Sequence, residues 1–458
     1  ISAGAGSGKT HRLTEILHQE LLSQQVQPAG VIATTFTRKA AAELRERVRS
    51  HLLKKGEIGL ATSMGQARIG TVNSVCGQLL ERFAFEAGMP PQQRVLEENQ
   101  AKVLLNQAVD RVLHGESMDT FLAIARRLGL EVTHQQGDYA SNNWLDELRR
   151  LLDQLRTNDI DLDLARGFAV RNAEDMLEHF PTATKTDLSG ELLRIIPDVL
   201  GQLIAANSKI KLTADYVSLL MDFHRELLQG NARWSAWAKL AKSAPEAKLK
   251  PLVASLTETV ERYAEHTDLH RDITVYLEQV FTLAIDALHV YGQSKLELGV
   301  LDFADQEHAL LKLLDNPAVI QVLEQELDLV MVDEFQDTSP MQLAVFLKLS
   351  RFAKRVYWVG DIKQAIYGFR GSDCALMQAI LNALPEMGGE KQVLRNSWRS
   401  RPELVELANE VFGPAFSSSL PPDEVQLTPT RADRLPGPAF ANWLLDGSNA
   451  EQQVSALA

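Results

Sequence analysis

Short apolar runs and longer stretches of helical period alternate along the chain in three blocks. In the first block Val31-Ile-Ala-Thr-Thr-Phe36 reads as a buried strand, followed by a helix from about Lys39 to Lys54. Arg68-Ile-Gly-Thr-Val72 repeats the pattern, with a helix running on to about Ala87. Strands that are apolar at successive positions, each followed by a helix, predict a parallel sheet covered on both faces. The second block, roughly 89–300, has few β-branched runs and is rich in Leu and Ala. It predicts helices over Ala101–Leu113, Trp144–Leu155, Glu191–Ala206, Tyr216–Leu228 and, with interruptions, Thr257–Tyr291. No fixed repeat period is present, which argues against a solenoid. Gly137–Asn143 and Asn231–Glu246 read as loops. The third block returns to strands at Leu327–Val332, Arg355–Val359, Gln392–Leu394 and Phe440–Leu445, with helices at Pro402–Phe412 and Ala450–Ala458. The Ser/Pro/Asp-rich stretch Ser417–Gly437 reads as a linker.

Composition narrows this little. A chain of 458 residues has room for two or three domains with cores of their own. No apolar run approaches the roughly 18 residues that predict a membrane span. Cys76 and Cys374 have no metal-like spacing, which suits a reducing, cytoplasmic compartment. The net charge of −13 argues mildly against a whole-surface nucleic-acid binder but leaves room for a local groove. One basic stretch stands out, with Arg38, Lys39, Arg45, Arg47, Arg49, Lys54 and Lys55 set against Glu43 and Glu46. Its ordinary reading is a solvated helix face. Trp234 and Trp237 read first as core anchors and second as an exposed binding feature.

Chemistry enters with Ala3-Gly4-Ala5-Gly6-Ser7-Gly8-Lys9-Thr10, ahead of a helix predicted over roughly Arg12 to Ser23. Such a loop sets backbone N–H groups around phosphate oxygens, and glycine permits the close approach and the positive φ. Lys9 is placed to reach the outer phosphates and Thr10 to offer its hydroxyl to Mg²⁺. The usual pattern begins with Gly where this chain has Ala3. A second signal lies 324 positions beyond Lys9, where the apolar run ends in Asp333-Glu334. A carboxylate at a strand end, in a chain with a phosphate loop, suits Mg²⁺, and its neighbour suits activation of a water. The separation is too long for a compact nucleoside kinase and requires a sheet completed from both sides of the helical block.

Beyond this point the motifs resemble a known family. Asp333-Glu-Phe-Gln-Asp-Thr-Ser-Pro-Met-Gln342, Gly360-Asp-Ile-Lys-Gln-Ala-Ile-Tyr-Gly-Phe-Arg-Gly371, Thr34-Thr-Phe-Thr-Arg-Lys-Ala-Ala-Ala-Glu-Leu-Arg-Glu-Arg-Val48 and Leu394-Arg-Asn-Ser-Trp-Arg-Ser400 are similar to motifs II, III, Ia and IV of superfamily 1A (UvrD/Rep-like) DNA helicases. Leu301-Asp-Phe-Ala-Asp305 leans toward the RecB/AddA branch. The resemblance implies an α/β fold. It comprises a P-loop NTPase (RecA-like) parallel sheet, a large inserted all-α domain and the beginning of a second RecA-like domain. The corresponding domains are 1–88 with 300–395 (1A), 89–299 (1B) and 396–458 (the start of 2A).

It also implies ATP and Mg²⁺ as ligands and an ATP-dependent helicase or translocase moving 3′ to 5′ on single-stranded or partial-duplex DNA. A RecB/AddA-type helicase–nuclease motor, with a RecC/AddB-like partner, is one alternative. A DNA-binding scaffold with a degenerate motor is another. Lys9, Glu334, Gln364 and Arg399 would be catalytic. Residues Ala3 to Thr10 and Trp398 would hold the nucleotide, and Thr10 and Asp333 the metal. Phe36, Thr37, Thr71, Tyr367, Phe369 and Arg370 would meet DNA, with Gln336 and Asp337 between the two sites. The chain departs from the motifs at Arg38, where Asn is usual, at Val72-Asn73, where Phe-His is usual, and at Ser397, where Asn is usual. The adenine-reading Q motif, motifs V and VI and a RecB-like nuclease motif are not in the sequence. The expectation is a piece of a larger motor, weakly active by itself.

Overall fold

A computed structural model describes residues 1–4, 6–114, 116–132, 143–365, 374–417, 420–431 and 439–440. The predicted strand at Phe440–Leu445 apart from Phe440, the helix at Ala450–Ala458 and most of the Gly137–Asn143 loop lie outside the described residues. The chain divides into two compact units, one formed by Ile1–Gln93 with Asp305–Ala458 and the other by Arg94–Ala304.

The first unit is built on a parallel sheet of four strands in the order Arg68–Thr71, Val31–Thr35, Leu329–Asp333 and Arg355–Val359. Alternate residues of the central strands enter opposite cores. Ile32, Val330 and Val332 join Leu79, Leu310, Val345 and Phe346 on one face. Val31, Ala33, Leu329 and Met331 join Leu13, Leu17, Leu44 and Val48 on the other. Burial on both faces is why these strands read as unbroken apolar runs, each large side chain contributing about 1.5–3 kcal/mol. The short strand Ser2–Ala3 pairs in parallel with Val393–Leu394, and Ser2 bridges to Gly360.

Helices leave the carboxyl ends of these strands. Lys9–Leu22 follows the glycine loop, Arg38–Lys54 is capped by Thr37, and Val72–Arg82 is capped by Thr71. Pro340–Phe352 begins with a capping box between Ser339 and Gln342. Because the strands are parallel, Thr37, Thr71, Asp333 and Gly360 all fall at one edge of the sheet. That edge is where open α/β sheets present their ligand sites.

The second unit is helical. The 32-residue helix Thr267–Leu298 supplies Leu269 and Ile273 to one core and Tyr276, Val280, Phe281, Ala284 and Ile285 to another. The stretch Ala247–Leu298 is apolar enough to cross a membrane by length and composition. Of its most apolar window 39% is buried, the buried residues lying in these two cores. Trp234 and Trp237 pack here, Trp237 1% exposed, so their core reading is the observed one. They lie on the helix Trp234–Ala241, inside the segment predicted as a loop. The prediction fails there because an eight-residue helix between Asn231 and Pro245 is too short to show a period. Asp272, fully buried, accepts from Arg127 at 2.8 and 2.6 Å and from the Trp234 indole at 2.9 Å. Asp302, from the Leu301–Asp305 sequence, accepts from Tyr291 at 2.7 Å, Arg156 at 3.2 Å and Lys295 at 3.3 Å. The unit is closed by a parallel pairing of Arg94–Val95 with Val300–Leu301.

Candidate functional site

The glycine loop takes its shape from two residues in the left-handed region, Gly6 at φ 75° and Gly8 at φ 88°. Ser7 closes the turn, its Oγ donating to the Gly4 carbonyl at 2.7 Å and its N–H to the same oxygen at 3.2 Å. Ala5 lies outside the described residues. A Cβ on Gly6 would meet the Arg399 Cβ at 2.8 Å, so glycine is required there by space as well as by φ. The helix then begins at Lys9 with no side-chain cap, leaving its first N–H groups to an anion.

Lys9 does not point into solvent. Its Nζ meets Glu334 Oε2 at 2.6 Å. Asp333 ends its strand and accepts the Glu334 N–H at 3.0 Å. Glu334 is left-handed at φ 53°, a conformation that a non-glycine residue holds only when its surroundings enforce it. Asp337 stands on the following turn. Burial pushes the Asp333 carboxyl up to about 6, and the Glu334 charge adds to this against the pull of Lys9. Burial, and after it the Glu334 charge, push Asp337 up to about 6 as well, against Lys9 and the hydrogen bond from Gln336. Three carboxylates share one ammonium, an excess of negative charge that a divalent cation relieves. The donors fit Mg²⁺ in kind, since Thr10 and Asp333 offer hard oxygens. Among the described residues no three His, Cys, Asp or Glu side chains form a complete cage.

On the other side of the loop the Trp398 N–H donates to the Gly6 carbonyl at 2.9 Å, and the exposed Trp398 indole lies over Gly8. Arg399 is exposed beside Gly6 and forms no ion pair among the described residues. Gln364 donates its amide to Asp361 Oδ2 at 2.8 Å. The structure thus brings Lys9, Thr10, Asp333, Glu334, Trp398 and Arg399 around the glycine loop and sets Gln364 on the adjoining turn.

The residues expected to meet DNA divide differently. Tyr367, Phe369 and Arg370 lie outside the described residues. Phe36 is half-buried at the end of its strand. Thr37 and Thr71 prove to be helix caps, their hydroxyl oxygens accepting the N–H groups of Ala40 at 3.0 Å and Ser74 at 3.3 Å. Each keeps its hydroxyl proton for another partner. In the basic stretch Arg38, Lys39, Arg47, Arg49, Lys54 and Lys55 are exposed, with Arg47 near Glu43 at 3.7 Å. Sequence reasoning missed Asp361, a buried carboxylate that also pairs with Lys363 at 2.8 Å. Its one signal was a position just past a strand end.

Comparison with known proteins follows the same lines. The family described as UvrD/REP helicase N-terminal domain matches residues 1–385. An ATP-dependent helicase/nuclease subunit of Natranaerobius thermophilus is 24% identical, over 92% of this chain and 37% of its own length. Exonuclease/helicase subunit RexA of Lactococcus lactis subsp. cremoris is 26% identical, over 90% of this chain and 38% of its own. The corresponding ATP-dependent helicase/nuclease protein of Streptococcus pneumoniae is 26% identical, over 90% and 37%. The chain therefore spans less than two fifths of the length of these relatives. With a family match running from the glycine loop through both strand-end carboxylates and the turn beyond them, the chain belongs to the UvrD/REP helicase N-terminal domain family.

Proposed function

We propose that this chain is the ATP-hydrolysing motor part of a helicase–nuclease subunit of RecB/AddA type. The relatives above, named as helicase–nuclease or exonuclease–helicase proteins, favour that branch over a free-standing UvrD-like helicase. In this reading the first unit contains a RecA-like domain 1A and the beginning of 2A, and the helical unit is the inserted domain 1B. The protein works in the cytoplasm beside a second, AddB/RecC-like partner and moves 3′ to 5′ on single-stranded DNA.

One observation carries the reading. Lys9 and Glu334, 325 positions apart, meet at 2.6 Å beside a glycine loop whose other wall is Trp398-Arg399. Backbone N–H groups from Gly6 to Thr10 surround the phosphates, Lys9 moves from Glu334 to the outer phosphate, and the indole of Trp398 stacks on the base. Glu334, released from Lys9, takes the proton of the attacking water. Arg399 stabilises charge that develops on the transferred phosphoryl group. Thr10 and Asp333 would hold Mg²⁺, which when bound would neutralise charge at the phosphates. Phe36, Tyr367 and Phe369 would stack bases of the strand, which is sequence-tolerant because every base has a π-face. Thr37, Thr71 and Arg370 meet its phosphates.

The test is ATP hydrolysis by the full-length protein with and without single-stranded DNA. Stimulation by DNA, abolished in Glu334→Gln and Lys9→Ala with DNA binding retained, is the expected result. Hydrolysis indifferent to DNA, or absent while DNA still binds, would replace the motor by a binding scaffold.

A further inference from the structure

Gln336 lies between the carboxylate strand end and the Gly360–Gln364 turn, 2% exposed, with its whole amide engaged. Its Nε2 donates to Glu334 Oε2 at 2.8 Å and to Asp337 Oδ2 at 3.2 Å. Its Oε1 accepts the backbone N–H of Asp361 at 2.9 Å. Asp361, itself 2% exposed, holds Gln364 Nε2 through Oδ2 at 2.8 Å. A continuous run of contacts therefore leads from Lys9 through Glu334, Gln336 and Asp361 to Gln364.

Two further facts show that this run is built for the amide. A Cβ on Gly360 would lie 2.5 Å from Gln336 Oε1 and 2.5 Å from the Phe335 ring, so only glycine leaves the amide its place. Glu334 holds a left-handed backbone, and its carboxylate is fixed from two sides, by Lys9 and by Gln336. When Lys9 turns to a phosphate, Gln336 is the contact that remains.

We infer that Gln336 is a positioning residue that ties Glu334 to the turn bearing Gln364, so that both ends of the proposed hydrolytic site take up their places together. The roles of Glu334 and Gln364 rest on the functional reading above; the tie itself does not. A glutamine that merely filled its cavity would be replaceable by methionine, which matches it in length and lacks its donors and acceptor. Gln336→Met and Gly360→Ala break the tie from opposite sides, so a folding failure in one does not decide the matter.

Two measurements on the protein test it. Hydrogen exchange across Val359–Ala365 without nucleotide is expected to quicken about tenfold in both variants, as the Asp361 N–H loses its acceptor. The kcat for DNA-stimulated ATP hydrolysis is expected to fall about 100-fold, with KM within about twofold, because orientation and not binding is lost. Gln336→Met should add less than about threefold to Gln364→Ala, since both act through one turn. Unchanged exchange, an effect on KM alone, or full additivity with Gln364→Ala would overturn the inference. A parent protein without ATPase would sink the functional reading, and exchange would still decide the tie.

Discussion

Removing the carboxylate of Asp272 should unfold the helical unit at markedly lower denaturant. This side chain is fully buried and accepts three hydrogen bonds, two from the Arg127 guanidinium and one from the Trp234 indole. In Asp272→Ala all three donors lose their acceptor, and the guanidinium, largely covered, has no anion to face. Breaking a buried pair from one side costs about 3–5 kcal/mol. With a urea dependence of about 2–3 kcal/mol per molar, the midpoint falls by roughly 1–2.5 M. Asp272→Asn, which keeps the shape and one acceptor oxygen, should lose about half as much. The assay is a urea titration read by hydrogen exchange in peptides from Thr267–Leu298, which reports this unit's own transition. The double variant Arg127→Leu with Asp272→Leu should cost at least about 2 kcal/mol less than the sum of the singles. A loss under about 1 kcal/mol for Asp272→Ala, or simple additivity, would refute the view that this cluster organises the unit.

Three further outcomes are expected. Gly6→Ala strains a φ of 75° and drives a methyl group to 2.8 Å from the Arg399 Cβ; titration with a fluorescent ADP analogue should show nucleotide affinity lost by about tenfold or more, with the helical unit's urea midpoint unchanged. Burial holds His266 below the ordinary histidine value, against the pull of Asp268, Asp187 and Asp272 and with Arg271 adding to the depression. Its neutral ring accepts the Asp268 N–H on Nδ1 and meets Ser189 Oγ on Nε2 at 2.8 Å. The stability it supplies is complete above about pH 6.5 and is lost as pH falls through the lower folded value; thermal melts from about pH 7.5 to 5 should show that slope, and His266→Gln should flatten it. Thr37→Ala should cost about 1 kcal/mol by uncapping Arg38–Lys54, while Thr37→Asn keeps the cap; if DNA affinity falls in the alanine variant and not in the asparagine one, the residue acts on DNA only through its helix.

The strands Val31–Thr35 and Leu329–Asp333 were legible because burial on both faces leaves an apolar run that local reading detects. Lys9 and Asp333-Glu334 were legible because their chemistry is written in adjacent residues. The helix Glu116–Leu128 was not read, although it sends Phe121 and Ile124 into a core, because a single short amphipathic stretch is hard to separate from its surroundings. Trp234–Ala241 escaped for the same reason, and its tryptophans gained their meaning only from Asp272 and Phe223 across the unit. The caps at Thr37 and Thr71 were readable in principle, each being a threonine directly before a helix. For Gln336 the motif resemblance implied a place between the two sites, but its contacts with Gly360 and Asp361 were not readable, because the fold and not the sequence brings them to it.

The pairing of Arg94–Val95 with Val300–Leu301 has an entropic consequence for the sheet that the helical unit interrupts. A floppy insertion of about 200 residues would burden closure of that sheet by about 3 kcal/mol more than a five-residue loop. Here the insertion brings its own two ends together, side by side at the spacing of neighbouring strands, about 4.8 Å. To the sheet it is a short connection. Evolution can therefore lengthen, shorten or rebuild the helices within it while leaving the Lys9–Glu334 meeting undisturbed.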